Sequence, residues 1–414
     1  MPQNQSNEIN LSPSTSAQQQ NVQNQAPTIQ PRGNKRQSSS TRGDDFIKEI
    51  QVLEDKVLSV PLPKELMQRA MRSIDRLRIM AKRGSYTGDF ETIEKYVYWI
   101  TSIPWGKTTK DNLNISNAKQ EMDSSHYGLE TVKQLILDYL AVMQLRRGDQ
   151  SQSEGVDNSG VDQMAVARGS SANAPVMLFV GLQGVGKTSI AKSIARAMGR
   201  KFIRVSLGAI GSVQMLRGQS RALADSEPGQ IIKALVRTES MNPIILLDEI
   251  DKASGNKALL SDIMAALLEI LDPEQNSTFV DHYIDYPVNL SKVFFICTAN
   301  NLGTISTALL DRMEVIRFTS YSDEEKEVIA KNYSLPKILE NMGVDQSQLV
   351  INEDVWPILI RPVGFDAGLR QLERNLSTLV RRVARRILEG AEVPVHVTRE
   401  NVREFVLPDQ GPLS

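Results

Sequence analysis

Apolar positions along the chain fall into two rhythms. Short unbroken runs occur at Val176–Val180, Ile244–Leu247 and Val293–Thr298, and each has the length of a strand buried on both faces. Phe202–Ser206 alternates like a further strand, and Val315–Phe318 reads as a fifth. Between and around them the period lengthens to that of helices. Ile47, Ile50, Leu53, Val57 and Leu58 make one stripe, and Leu66, Ala70, Ile74, Leu77 and Met80 another. Pro61 and Pro63 part the two. Further helices are expected over Phe90–Thr101, Val132–Leu145, Thr188–Met198, Glu324–Leu339 and Gly368–Glu389, with Gly199 stopping the third of these. Strands alternating with helices predict an α/β fold: a parallel sheet flanked by helices, with a helical bundle before it and a small helical subdomain after it.

The polar stretches complete the division. Residues 1–43 are rich in Gln, Asn, Ser and Pro and are expected to form a disordered tail, because they bury too little apolar surface to offset ordering entropy. The expected units are then a bundle over 44–110, an α/β unit over 111–319 with a flexible insert at 148–174, a helical subdomain over 320–408 and a tail at 409–414. Val350-Ile351 and Val395–Val397 are short β-like pieces within the helical subdomain.

Composition mainly excludes. In 414 residues there is one cysteine, Cys297, and three histidines, so neither an intrachain disulfide framework nor a Cys-cluster zinc site can form, and a His-based metal site is not expected. The formal net charge of −1 gives no general attraction to nucleic acid or acidic membranes. No apolar run approaches a membrane span, and the first thirty-one residues hold neither Lys nor Arg, unlike a secretory or mitochondrial leader. The expectation is a cytoplasmic protein.

The chemistry concentrates where strand gives way to helix. Gly181-Leu-Gln-Gly-Val-Gly-Lys-Thr188 fits G-x-x-x-x-G-K-[ST], placed between the Val176–Val180 strand and the helix that follows. Glycines at 181, 184 and 186 let backbone N–H groups close around phosphate oxygens, and the helix start adds its positive dipole end. Val185 and Ser189 belong to the same cradle. Lys187 supplies a point charge for the β- and γ-phosphates, and Thr188 a hydroxyl for Mg²⁺. Asp248 and Glu249 follow a buried strand, where ligand sites of open α/β sheets lie. Asp248 is the candidate Mg²⁺ residue and Glu249 the residue that polarises an attacking water. Asn300, at the end of the next strand, can reach both the γ-phosphate and that water. Arg312 is a candidate arginine finger for a neighbouring subunit, with a surface ion pair to Glu314 as the plainer alternative. Arg370 opens a helix of the helical subdomain, from which it can touch the nucleotide. Arg381, Arg382, Arg385 and Arg386 share a helical face and motivate a nucleic-acid-binding alternative.

Taken together, Gly184–Ser189, Lys192–Ala197, Leu246–Lys252, Leu271-Asp-Pro-Glu-Gln-Asn276, Asp281-His-Tyr283, Leu290–Lys292, Thr298–Asn300, Leu310-Asp-Arg-Met-Glu-Val315 and Leu372–Arg374 resemble the AAA+ module of the Lon protease family. Ile103-Pro-Trp-Gly-Lys107 and His126-Tyr-Gly-Leu129 extend the resemblance upstream, and it covers roughly Asp44 to Leu407. It implies ATP and Mg²⁺ as cofactors and His126 and Tyr127 as nucleotide contacts. It also implies a homo-hexameric ring in which Arg312 completes the neighbour's site, and protein substrates. No Ser–Lys dyad or Ser/His/Asp arrangement is recognisable, so peptidase activity is not expected of this chain alone. Two readings follow: a motor that remodels protein partners, or the ATPase part of a truncated or split Lon, working with a separate peptidase subunit. In the family, a loop after the second strand carries an aromatic that grips polypeptide. Here Leu223, in Arg221–Gly229, stands at that place and offers less contact area.

Overall fold

A computed structural model describes residues 39–82, 87–153, 175–223, 225–252, 257–361 and 368–406. Three helices come first: α1 (Ser39–Ser59), α2 (Lys64–Lys82) and α3 (Thr87–Ser102). They are followed by α4 (Ile115–Ser125) and α5 (Glu130–Ser153). The central unit runs β1 (Val176–Val180), α6 (Lys187–Met198), β2 (Phe202–Ser206), α7 (Gln230–Thr238), β3 (Ile244–Asp248), α8 (Lys257–Leu271), β4 (Phe294–Ala299) and β5 (Met313–Arg317). The helical subdomain, which folds against the phosphate loop as a lid, contains α9 (Asp323–Ile329), α10 (Leu335–Met342), β6 (Leu349–Ile351), α11 (Arg370–Leu388), β7 (Val395–Val397) and α12 (Val402–Phe405).

Strands β2-β3-β4-β1-β5, in that order, form one five-stranded sheet, and every pairing in it is parallel. The unbroken apolar runs are explained by this. Successive side chains of a strand face opposite sides, and both sides are covered. Val176, Leu178 and Val180 enter one core, shared with Ile245, Leu247, Phe295 and Cys297. Met177 and Phe179 enter the other, with Ile244, Leu246, Phe294 and Ile296. The first core also takes in the stripes of α1–α3, so Ile50, Leu66, Ile74 and Ile100 pack into the same cluster as one sheet face. The second is closed by α4, α5 and α6. The lid has a third core of its own, built on Trp356, Leu372, Leu376, Val380 and Phe405. Truncating one of these fully buried leucines to Ala costs about 2–5 kcal/mol.

Several sequence expectations shift in detail. α1 begins at Ser39, inside the stretch expected to be a polar tail; residues 1–38 lie outside the described residues. α5 continues to Ser153, into the expected insert, whose remaining residues 154–174 lie outside the described residues. The expected tail at 409–414 also lies outside them. The helix expected over Glu324–Leu339 is two helices joined by a π turn at Ala330–Ser334. Pro336 is the physical reason: it has no N–H for the carbonyl four residues back, and Leu335 instead donates to Ala330. The fifth strand starts two residues earlier than expected, at Met313, and the fourth one later, at Phe294. The β-like pieces at 350 and 395 pair as a parallel ribbon, β6 with β7.

Candidate functional site

The phosphate loop leaves the sheet from β1, its second-to-last strand. Gly181 is fixed on both sides: its N–H donates to Ala299 O at 3.2 Å, and a Cβ there would lie 2.5 Å from Phe318 O. Gly186 precedes α6 with φ 91°, a conformation that disfavours any residue with a side chain. Val185 is buried beneath the loop, while Thr188 and Ser189 are exposed on the first turn of α6. The Lys187 ammonium donates to Gly181 O, to Leu182 O at 3.0 Å and to Asn300 Oδ1 at 3.0 Å. Burial draws its pKa down. Asp251, Asp248 and Glu249 oppose this, and Arg370 adds to it. The structure thus brings Lys187, Asn300, Arg370 and the carboxylates at the end of β3 within electrostatic reach of one another.

β3 ends in Asp248, buried at 5% exposure. Its Oδ2 accepts from Arg204 Nε at 2.6 Å, and its Oδ1 accepts from the Thr298 hydroxyl. The next residue, Glu249, has φ 58°, a left-handed conformation that costs an L-residue roughly 1–2 kcal/mol. That turn redirects a side chain which strand alternation would send to the opposite face. Its carboxylate meets Lys252 Nζ at 2.7 Å. Asp251 accepts from the N–H groups of Asn300 and Asn301, at 3.0 and 3.2 Å, and so fixes the exit of β4.

The lid closes the other side. Leu369 N–H donates to Gly184 O at 3.0 Å, and Arg370 Nη1 donates to Gln183 Oε1 at 3.3 Å. A Cβ on Gly368 would lie 2.6 Å from Gln183 O, so lid and phosphate loop touch backbone to backbone. Between α4, α6 and the lid lies a cleft of about 340 Å³, lined by His126, Tyr127, Gly186, Ser189, Tyr321 and Tyr333 among others. The His126 ring bridges Ser125 Oγ and Ser189 Oγ, each at 2.9 Å. Its pKa is lowered to about 4, first by burial and then by Lys133, Arg196 and Lys337. Tyr321 donates to Val185 O at 3.1 Å.

Arg312 stands apart from this cluster. Its Nε pairs with Asp272 Oδ2 at 3.1 Å and its Nη1 donates to Ala308 O, so its ion-pair partner is Asp272 and not the Glu314 of the plainer alternative. Part of the basic face of α11 is engaged within the lid. Arg385 pairs with Glu389, Arg386 with Glu404, and Arg382 donates to Glu404 O and Val406 O.

Sequence reasoning missed Arg204, Thr298, Asp251 and Tyr321. Each acts through a neighbour set by strand register or by lid packing. For Arg204 the signal lay in the β2–β3 register: it pairs with Leu246, two residues before Asp248 and on the same face.

Two family models match the chain over the sheet and the lid. The ATPase family associated with various cellular activities (AAA) matches residues 177–321, which end just after the sheet, and the Lon protease AAA+ ATPase lid domain matches residues 340–395. The fold and the phosphate loop are those of an AAA+ ATPase. Lon protease 2 of Thermus thermophilus is 41% identical over 366 residues, covering 88% of this chain and 44% of that protein. The Lon protease of Elusimicrobium minutum is 39% identical, covering 89% and 41%. The mitochondrial Lon protease homolog of Rattus norvegicus is 37% identical, covering 85% and 34%. The chain belongs to the Lon family of AAA+ ATPases and spans less than half the length of these relatives. Among the described residues no helix is long and apolar enough to cross a membrane.

Proposed function

We propose that this chain is a Mg²⁺-dependent ATPase motor of the Lon type, which works as a homo-hexameric ring and remodels or unfolds protein partners. The observation that carries the reading is the direct contact of the lid with the phosphate loop, through Gly368, Leu369 and Arg370. A change at the phosphates has a short path to a body with its own core, and such a body can swing as a unit. Lys187 and Arg370 would hold phosphate oxygens, and His126 and Tyr127 would line the base and sugar side of the cleft. Glu249 would orient and deprotonate water, with Asn300 aligning it. The hydroxyl of Thr188 and the carboxylate of Asp248 fit Mg²⁺, since both are the hard oxygen donors it takes. When bound, that ion would offset charge on the β- and γ-phosphates. Arg312, its side chain 38% exposed and held by Asp272 and by Ala308 O, would serve the neighbouring subunit's nucleotide.

Leu223, 53% exposed, would contact polypeptide. Its loop is tied at the base: the Gly229 N–H donates to the buried Asp281 carboxylate at 2.7 Å. Arg221 stacks on Tyr96 of α3, 4.1 Å from the ring centre. Proteolysis, which the relatives' names carry, would be performed by peptidase residues other than those described here. The nucleic-acid alternative keeps only part of its motive: Arg382 and Arg386 are held within the lid, while Arg381 and Arg385 are exposed.

The test pairs Glu249→Gln with Lys187→Ala. Glu249→Gln is expected to keep ATP binding and to lose at least about 100-fold in hydrolysis, while Lys187→Ala loses binding. A hydrolysis rate unchanged by Glu249→Gln overturns the reading. Used as bait in native-host extract, Glu249→Gln should retain partners that Lys187→Ala does not. A Ser–Lys peptidase subunit among them makes the chain the motor of a split protease; other proteins without a peptidase make it a remodelling ATPase.

A further inference from the structure

One hydroxyl connects the two carboxylate residues at the end of β3. Thr298 lies on β4, fully buried, one step beyond the Leu247–Cys297 pair and so beside Asp248. Its Oγ1 accepts from the backbone N–H of Glu249 at 2.9 Å and donates to Asp248 Oδ1. The direction of both bonds is fixed by inventory. A hydroxyl has one proton and two lone pairs, the amide can only donate, and an ionised carboxylate can only accept. The bond to Glu249 falls at the point where the chain turns left-handed. Arg204 holds the other oxygen of Asp248, but its side chain is half exposed and can swing away; Thr298 cannot. At the far end of Glu249, Lys252 restrains only the carboxylate tip, also from a partly exposed position.

We propose that Thr298 is a positioning residue for hydrolysis: its hydroxyl sets the angle between the Asp248 and Glu249 carboxylates. It touches neither nucleotide nor water and acts through those two residues. The inference rests on the ATPase reading above.

The full-length chain is compared as Thr298→Val, Thr298→Ser and wild type. Valine keeps the shape and removes the hydroxyl, leaving the Glu249 N–H and Asp248 Oδ1 without it; serine keeps the hydroxyl. The expected result is a loss of about 20-fold or more in kcat for Thr298→Val with KM for ATP changed by less than about threefold, and recovery to within about threefold in Thr298→Ser. A second readout needs no turnover. Hydrogen exchange of the peptide spanning residues 246–252, measured without nucleotide, should quicken in Thr298→Val and not in Thr298→Ser. If Thr298→Val does not fold, Thr298→Ala carries the same contrast with serine. Unchanged exchange in the hydroxyl-free variant overturns the inference, as does kcat within about twofold of wild type or a serine variant that falls as far as valine. A wild-type chain that hydrolyses no ATP overturns the functional reading instead, and the exchange contrast then decides this one separately.

Discussion

The two walls of the nucleotide cleft are built on different principles. The sheet wall carries Asp248, Glu249 and Asn300 at the ends of strands whose side chains fill two cores, and Lys187 at the start of α6, which follows β1 through the phosphate loop. Its parts are cross-tied: Lys187 to Asn300, Asn300 to Asp251, Thr298 to Asp248 and Glu249, Gly181 to Ala299. The lid wall brings Arg370 and Leu369 from a body with a separate core and reaches the phosphate loop through a handful of contacts. Displacing a strand end disturbs a core, whereas displacing the lid breaks a few surface hydrogen bonds, each worth about 1 kcal/mol net. On the proposed reading, chemistry that needs fixed geometry would sit on the first wall, and the part free to report nucleotide state on the second.

Two glycine substitutions set the walls against each other. Gly181→Ala places a Cβ 2.5 Å from Phe318 O and 2.9 Å from Phe318 Cβ, so the ends of β1 or β5 must move. The expected outcome is a loss of about 2–3 kcal/mol in unfolding free energy, by the cost of overpacking a core edge, together with ATP affinity reduced at least about tenfold. Denaturant unfolding and calorimetric nucleotide titration measure the two. Gly368→Ala places a Cβ 2.6 Å from Gln183 O, but here the lid can retreat as a body. Its Tm should stay within about 2 °C of wild type while ATP hydrolysis falls about tenfold. If Gly368→Ala were as destabilising as Gly181→Ala, lid and sheet would be one rigid unit and the contrast between the walls would be lost.

How much of this could be read from the chain follows the same line. The sheet wall was legible because a buried parallel strand needs an unbroken apolar run and a phosphate cradle needs glycines at set spacing; both are local demands. The lid's long helix was legible from its period. What escaped depends on residues brought together from afar. Asp272 lies 40 positions from Arg312, and nothing local marks it as a better partner than Glu314. Thr298 looks like one more β-branched strand residue until register sets it beside Asp248. The continuation of α5 to Ser153 is polar, so no apolar stripe announced it. The π turn was signalled by Pro336, a breaker inside an otherwise helical pattern whose weight the periodicity masked.

An effect confined to one pH window is expected where the walls meet, at His126. Its ring nitrogens face Ser125 Oγ and Ser189 Oγ, and each hydroxyl also has a backbone carbonyl within reach, Glu121 O at 2.8 Å and Gly186 O at 2.9 Å. If both hydroxyl protons went to those carbonyls, both ring nitrogens would have to donate, and the ring would be an imidazolium. Turning one hydroxyl toward the ring gives up about 1 kcal/mol of hydrogen bonding. Charging the ring would set it, half-buried, beside Lys133, Arg196 and Lys337, the stronger penalty. His126 is therefore neutral in the fold, with a pKa lowered from 6.5 to about 4. The unfolded chain then binds the extra proton between those values, so stability rises with pH across that window and is lost as pH falls through it. Relative to His126→Gln, the wild type should lose on the order of 2 kcal/mol more between pH 6.5 and 4, allowing for the ring's partial exposure. Urea unfolding of both proteins across that range measures the difference. Parallel curves would mean that the ring takes up its proton in the cleft as readily as in the unfolded chain, with both serines then turned to their backbone partners.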